Sequence, residues 1–194
     1  MKQTLMAITL AATVGAAACT KPAQTTETSA PRSAHASVER GRYLVSVMGC
    51  NDCHTPMKMG PQGPEPDMTR MLSGHPEQVG ALSAPSMNGG PWMWTSTATN
   101  TAFAGPWGIS YTANLTPDQN TGLGIWTEDM FVQAIKTGKH MGTSRPILPP
   151  MPWPAFRTAT DEDLRSIYQY LRTIKPIANH VPDPTAPQQA MAGN

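Results

Sequence analysis

An excess of charge of one sign is what this sequence lacks. Its 194 residues carry 14 Lys or Arg against 13 Asp or Glu, and removing Lys2 with an N-terminal leader leaves the signs equal. That balance gives a nucleic acid no basic footprint to bind. Aromatic residues make up only 6% of the chain, which limits how much core side chains alone can build. The apolar run at residues 5–18 is too short for a membrane-spanning helix of about 20 residues. No stretch alternates apolar and polar residues strongly enough to read as a strand. What is plentiful is Pro (20), Gly (16) and Met (13). Such a composition implies long loops, and a large apolar cofactor would help to hold them.

The N-terminus reads as an address. Met1-Lys2 is a short basic start, followed by the apolar run and by small residues at its end, the pattern of a secretory signal peptide over residues 1–18. Ala16-Ala17-Ala18-Cys19 resembles a bacterial lipoprotein signal, with Ala16 where Leu is commoner. In that reading Cys19 is lipidated and becomes the mature N-terminus. The other reading is simple cleavage near Ala18, which leaves an odd thiol in an oxidising compartment. Thr20, rather than Asp, fits sorting to an outer membrane. The expected location is therefore the periplasmic face of a membrane through an anchor on Cys19, or the soluble periplasm without one. Residues 19–37, rich in Thr, Ala, Ser and Pro, bury too little surface to order themselves and read as a flexible linker containing His35. One domain is expected over residues 38–184, with a frayed Pro, Gln and Ala tail at 185–194.

Within that domain, Cys50-Asn51-Asp52-Cys53-His54 carries the chemistry. Two thiols three positions apart with a histidine after the second form the attachment site of a c-type haem. The sulfurs add across the two vinyl groups of one porphyrin edge, and the next side chain reaches the iron with its imidazole. Three other readings compete. A thioredoxin-like disulfide wants a βαβ context that the flanking pattern does not supply. A zinc site lacks its second half, since no further Cys-x-x-Cys or His pair follows. A structural disulfide across two residues closes a loop too small to stabilise much.

Three helices are expected. Residues 38–49 place Gly41, Leu44, Val45 and Met48 on one face and deliver the two cysteines from the helix end. Thr127 caps a second, with Glu128 and Asp129 in the first turn, Met130, Phe131, Ala134 and Ile135 on one face, and Gly138 as the stop. Thr160 caps a third, in which Leu164, Ile167, Tyr168, Leu171 and Ile174 form a stripe ahead of Pro176.

A sixth iron ligand is sought among the methionines, since thioether opposite imidazole suits an electron carrier. Met151 stands out. It lies in Leu148-Pro149-Pro150-Met151-Pro152-Trp153-Pro154, where four prolines fix φ and stiffen the loop that would present the sulfur. Packing against the core is the plainer role for it. Met141, Met57, Met59 and Met93 stand in reserve, and His140 is the nitrogen alternative. His75 and His180 are expected in loops.

The helical arrangement resembles the class I cytochrome c fold, in which the first and last helices cross near the haem. Gly41 and Tyr43 with Tyr168 and Leu171 are the expected contact. The ordered motifs go further. Gly41-Arg42-Tyr43-Leu44, the haem pentapeptide with Thr55-Pro56, Asn114-Leu115-Thr116-Pro117-Asp118, Thr121-Gly122-Leu123-Gly124-Ile125-Trp126-Thr127, Pro150-Met151-Pro152-Trp153-Pro154 and Thr160-Asp161-Glu162-Asp163-Leu164 are similar to the haem domains of membrane-associated dehydrogenase cytochrome subunits. They resemble still more closely single-haem secreted relatives with an added loop. That resemblance implies an all-α, cytochrome c-like domain with a long Pro/Gly/Met-rich insertion at 57–110. It implies Met151 as axial ligand opposite His54, and Asn114, Leu115 and Trp126 as pocket residues. Those subunits carry the haem motif three times, whereas here it occurs once, so several haems in series are excluded within this chain. Trp92, Trp94 and Trp107 of the insertion receive no role.

The expected function is electron transfer by one covalent haem c, held through Cys50 and Cys53, between an unidentified redox donor and acceptor. Two alternatives remain: a peroxidase-like haem enzyme or sensor with an open sixth site, and a dedicated haem subunit of a larger dehydrogenase or oxidase.

Overall fold

The computed structural model of the chain describes residues 34–86 and 91–187. The expected leader, Cys19, most of the expected linker and residues 188–194 lie outside the described residues. Among the described residues there are five α-helices: α1 (Ala34–Val47), α2 (Cys50–His54), α3 (Glu128–Thr137), α4 (Trp153–Phe156) and α5 (Asp161–Leu171). None is long and apolar enough to cross a membrane.

The helix starts follow side-chain chemistry. Thr127 Oγ1 accepts the Met130 N–H at 3.2 Å, and Thr160 Oγ1 accepts the Asp163 N–H at 3.1 Å. Each satisfies a donor that the first turn would otherwise orphan. Gly138, at φ 68°, ends α3 in the left-handed conformation, and its N–H returns to the Ala134 carbonyl at 3.0 Å. Helix α5 stops at Leu171, short of the expected stripe, but Ile174 still packs on the core from the turn beyond.

α1 lies against α5, and the crossing point is Gly41. A Cβ there would overlap the carbonyl of Ser166 and crowd the Cβ of Tyr170, so only hydrogen lets the backbones approach. The expected aromatic partner is therefore corrected: Tyr43 is 56% exposed, while Tyr168 turns to the other side and packs on Phe131 with ring centroids 5.8 Å apart. Arg40 adds a forked contact to Asp163 on α5, at 2.9 and 3.3 Å. Glu128 of α3 accepts from Arg165 at 2.6 Å and Gln169 at 3.0 Å, both on α5. Leu44, Val45, Phe131, Val132, Leu164 and Leu171 fill the space between the three long helices.

The all-α expectation is overturned in the insertion. Two small antiparallel sheets occur there, one from β1 (Met57–Gly60) and β2 (Gly63–Pro66), the other from β3 (Thr95–Ser96), β4 (Ala102–Gly105) and β5 (Gly108–Tyr111) in the order β3-β4-β5. The domain is mixed α/β. Its strands escape a periodicity search because they are two to four residues long and do not alternate: Ala102, Phe103 and Ala104 are all buried. The turns were the available signal. Gly60-Pro61-Gln62-Gly63 and Gly105-Pro106-Trp107-Gly108 share one pattern, and each pairs its two glycines across a two-residue loop. Gly63 and Gly108, at φ 118° and 92°, adopt backbone that L side chains avoid. Beyond the helices, Thr185 exchanges two backbone bonds of 2.9 Å with Ile109, adding a pairing to the free side of β5.

Candidate metal centre

α1 ends one turn before α2, and Gly49 at φ 68° redirects the chain between them. α2 is a single turn that carries Cys50 first, Cys53 one turn on and His54 last. Both cysteines are half-buried and free of disulfide. Burial pushes the Cys50 thiol up to about 11 and raises that of Cys53 as well. Neutral thiols of this kind are poor candidates for the thioredoxin-like reading, which needs a readily formed thiolate. Among the described residues no group of three or more His, Cys, Asp or Glu side chains could hold a metal ion, so nothing completes a zinc site.

His54 is buried, at 8% exposure, and burial holds it below the ordinary imidazole range. Its Nδ1 lies 2.8 Å from the Ala113 carbonyl. A carbonyl only accepts, so Nδ1 carries the proton and Nε2 keeps its lone pair. Three further bonds fix the backbone around the ring: Gly74 N–H donates to the His54 carbonyl at 2.8 Å, and Thr55 Oγ1 donates to Asn51 Oδ1 and accepts the Leu72 N–H, both at 2.9 Å.

Cys50, Leu115, Trp126 and Met151 all pack, partly buried, against the one hydrophobic cluster between the long helices. Met48 and Met71 join them. The Trp126 ring meets His140 edge-on at 5.1 Å, and its carbonyl accepts from Tyr168 Oη at 2.5 Å. Met151 sits between Pro150 and α4, and Ser110 Oγ reaches the Pro149 carbonyl at 2.5 Å. Among the reserve methionines, Met59 and Met93 are 79% and 69% exposed, and Met141 takes a positive φ of 54°. Asn114 is buried among loop backbone: its Nδ2 donates to the Ile177 carbonyl at 2.8 Å, and its Oδ1 accepts from Thr116 Oγ1 at 2.7 Å and Thr116 N at 3.0 Å. These bonds tie the segment after Ala113 to the C-terminal strap. Trp92 and Trp94 are exposed, whereas Trp107, in the β4–β5 turn, is partly buried.

The residues present fit a covalently held porphyrin. Two neutral thiols, neither in a disulfide, lie three positions apart on one turn. A neutral imidazole follows with its proton on Nδ1, which leaves the Nε2 lone pair for a ligand. Cys50 packs on the same apolar cluster as the thioethers of Met48, Met71 and Met151. His75 lies in a loop as expected, but its complete burial is not legible in the sequence, because a lone histidine among Ser, Gly and Pro carries no pattern.

No family model matches the chain. Over 157 residues, 80% of its length, the chain is 30% identical to the fructose dehydrogenase cytochrome subunit of Gluconobacter japonicus. It is 28% identical over 151 residues, 76% of its length, to the cytochrome c subunit of a quinone-type alcohol dehydrogenase from Gluconobacter oxydans. It is again 28% identical, over 170 residues and 87% of its length, to the corresponding cytochrome c subunit from Gluconacetobacter polyoxogenes. The matches cover 25%, 24% and 29% of those relatives, so the chain spans less than a third of their length. The chain is similar to one stretch of the cytochrome subunits of dehydrogenases.

Proposed function

We propose that the chain is a single-haem electron carrier of the c type. Cys50 and Cys53 would hold the haem through thioether bonds, His54 Nε2 and Met151 Sδ would ligate its iron, and Leu115 and Trp126 would line its pocket, with Asn114 anchoring the loop beside them. Bound there, haem supplies one-electron oxidation and reduction. The protein's part is to orient the imidazole, exclude water and present the site to partners.

One observation carries the reading: a buried, neutral imidazole directly after the two thiols, with Nδ1 tied to the Ala113 carbonyl at 2.8 Å. A hydrogen bond at Nδ1 fixes the tautomer and ring orientation and strengthens Nε2 as a ligand. The likeness to dehydrogenase cytochrome subunits supports redox proteins as partners, either within a dehydrogenase complex or in brief encounters. Export through residues 1–18, a lipid anchor on Cys19 and a tether over 19–37 complete the proposal and put the carrier at a periplasmic membrane face. The deciding experiment is a reduced-minus-oxidised spectrum with a redox titration of protein made alongside haem-attachment machinery. Reversible one-electron bands of a low-spin c-type haem are expected, and a colourless protein contradicts the reading.

A further inference from the structure

His75 is wholly buried, and both its ring nitrogens are engaged. Nε2 lies 3.0 Å from the Gly80 carbonyl and Nδ1 lies 2.9 Å from Thr101 Oγ1. Since Gly80 O can only accept, Nε2 carries the proton and Nδ1 accepts from the Thr101 hydroxyl. That choice sets the direction of a longer row. Thr101 Oγ1 accepts from Thr99 Oγ1 at 2.8 Å, Thr99 from Thr97 at 3.0 Å, and Thr97 from the Ala102 N–H at 3.3 Å. A neutral imidazole therefore terminates an ordered chain of three hydroxyls, and the Tyr111 ring packs on it at 4.9 Å.

The same residue stands over the grip on His54. The His75 N–H donates to the Thr112 carbonyl at 2.9 Å, and Leu115 N–H donates to the Leu72 carbonyl at 2.9 Å, stitching segment 72–75 to segment 112–115. Those two segments are the ones that hold the haem histidine: Gly74 N–H reaches the His54 carbonyl, and the Ala113 carbonyl receives His54 Nδ1–H. They lie so close that a Cβ on Gly74 would overlap the carbonyls of Thr112 and Ala113. The threonine row reaches the motif by another route. Thr99 O accepts the Met57 N–H at 2.9 Å, and Asn100 Nδ2 donates to the Asp52 carbonyl at 2.8 Å.

We propose that His75 is the positioning residue for His54, its imidazole locking the threonine row and the paired 72–75 and 112–115 segments so that the Ala113 carbonyl stays aimed at the ligand ring. The proposal rests on the reading that His54 holds iron. An ordinary core histidine would contribute to stability and leave the ligand ring untouched. His75 differs because its neighbours on both sides of the backbone pairing are His54's own partners.

The test uses the full-length, haem-loaded protein and four variants. His75→Leu removes both polar nitrogens at similar volume, and His75→Gln restores one donor and one acceptor. Thr101→Val removes the hydroxyl that caps Nδ1, and Thr101→Ser restores it. The readouts are the reduction potential and, by NMR of the reduced protein, the exchange rate of the His54 Nδ1 proton. We expect roughly tenfold faster exchange in His75→Leu and Thr101→Val, with the potential displaced from wild type. Exchange and potential should return toward wild type in His75→Gln and Thr101→Ser. If melting falls while exchange and potential stay at wild-type values, His75 merely packs and the proposal is overturned. If His75→Leu fails to fold, Thr101→Val decides. If wild type carries no haem by its alkaline pyridine spectrum, the reading of the site fails. The ring-nitrogen shifts of His54 in the haem-free chain then judge positioning alone: loss of the Nδ1–H tautomer in Thr101→Val supports it, and an unchanged tautomer overturns it.

Discussion

Gly41 and Ser166 meet backbone to backbone where α1 crosses α5, with no room between them for a single methyl group. The site depends on that contact, because α1 delivers the cysteines while α5 closes the cluster on which Cys50 and Met151 pack. Gly41→Ala should force the helices apart and cost about 1–3 kcal/mol, read as a lower urea midpoint. An unchanged midpoint would mean that the crossing is not tight in solution.

The caps give a smaller and more local effect. Thr127→Ala and Thr160→Ala each remove one acceptor for a first-turn N–H. Each should lose about 1 kcal/mol, and Thr→Ser at the same positions should lose little. Denaturation of the four single variants checks this directly.

Acid should weaken the fold through His75, which is buried, and His140, which is partly buried. Burial lowers His75 and His140 below the ordinary imidazole value, whereas the unfolded chain protonates near it. The unfolded state therefore binds more protons as pH falls below about 6.5, and stability drops until the folded-state values are reached. Urea midpoints measured at pH 7.5 and pH 5.5 should differ, and the difference should shrink in His75→Gln. Equal midpoints at the two pH values would contradict this account.

Met151 is open to a spectroscopic test. In Met151→Ala the ferric haem should lose its thioether charge-transfer band and turn largely high-spin or recruit a replacement ligand. The folded fraction should change less, since the side chain is only partly buried. A retained band would transfer the role to another methionine, with Met71 and Met48 packed on the same cluster.

Some of this molecule is legible in its sequence, for identifiable reasons. Thr127, Gly138 and Thr160 act through neighbours within a few residues, which makes α3 and the start of α5 readable. Cys50, Cys53 and His54 form a local motif, and α2 puts all three on one turn. Gly41 is recognisable as a crossing residue but its partner is not, because choosing among Ser166, Tyr168 and Tyr170 requires the rotation of α5 about its axis. The sheets are illegible by periodicity, since strands of two to four residues carry too few positions to alternate. Their repeated Gly-Pro-x-Gly turns are in plain view. The roles of His75 and the Ala113 carbonyl leave no local trace. They come from contacts across 26 and 59 positions of sequence, which no local pattern encodes.

The most direct measurement of the central claim is the intact mass of the exported protein, produced with haem-attachment machinery and compared with a Cys50→Ala, Cys53→Ala double variant. The account predicts that the native chain is heavier by one haem that survives denaturation and acid extraction, while the variant releases its pigment or carries none. A native chain with the mass of polypeptide alone, colourless under the same conditions, would contradict it.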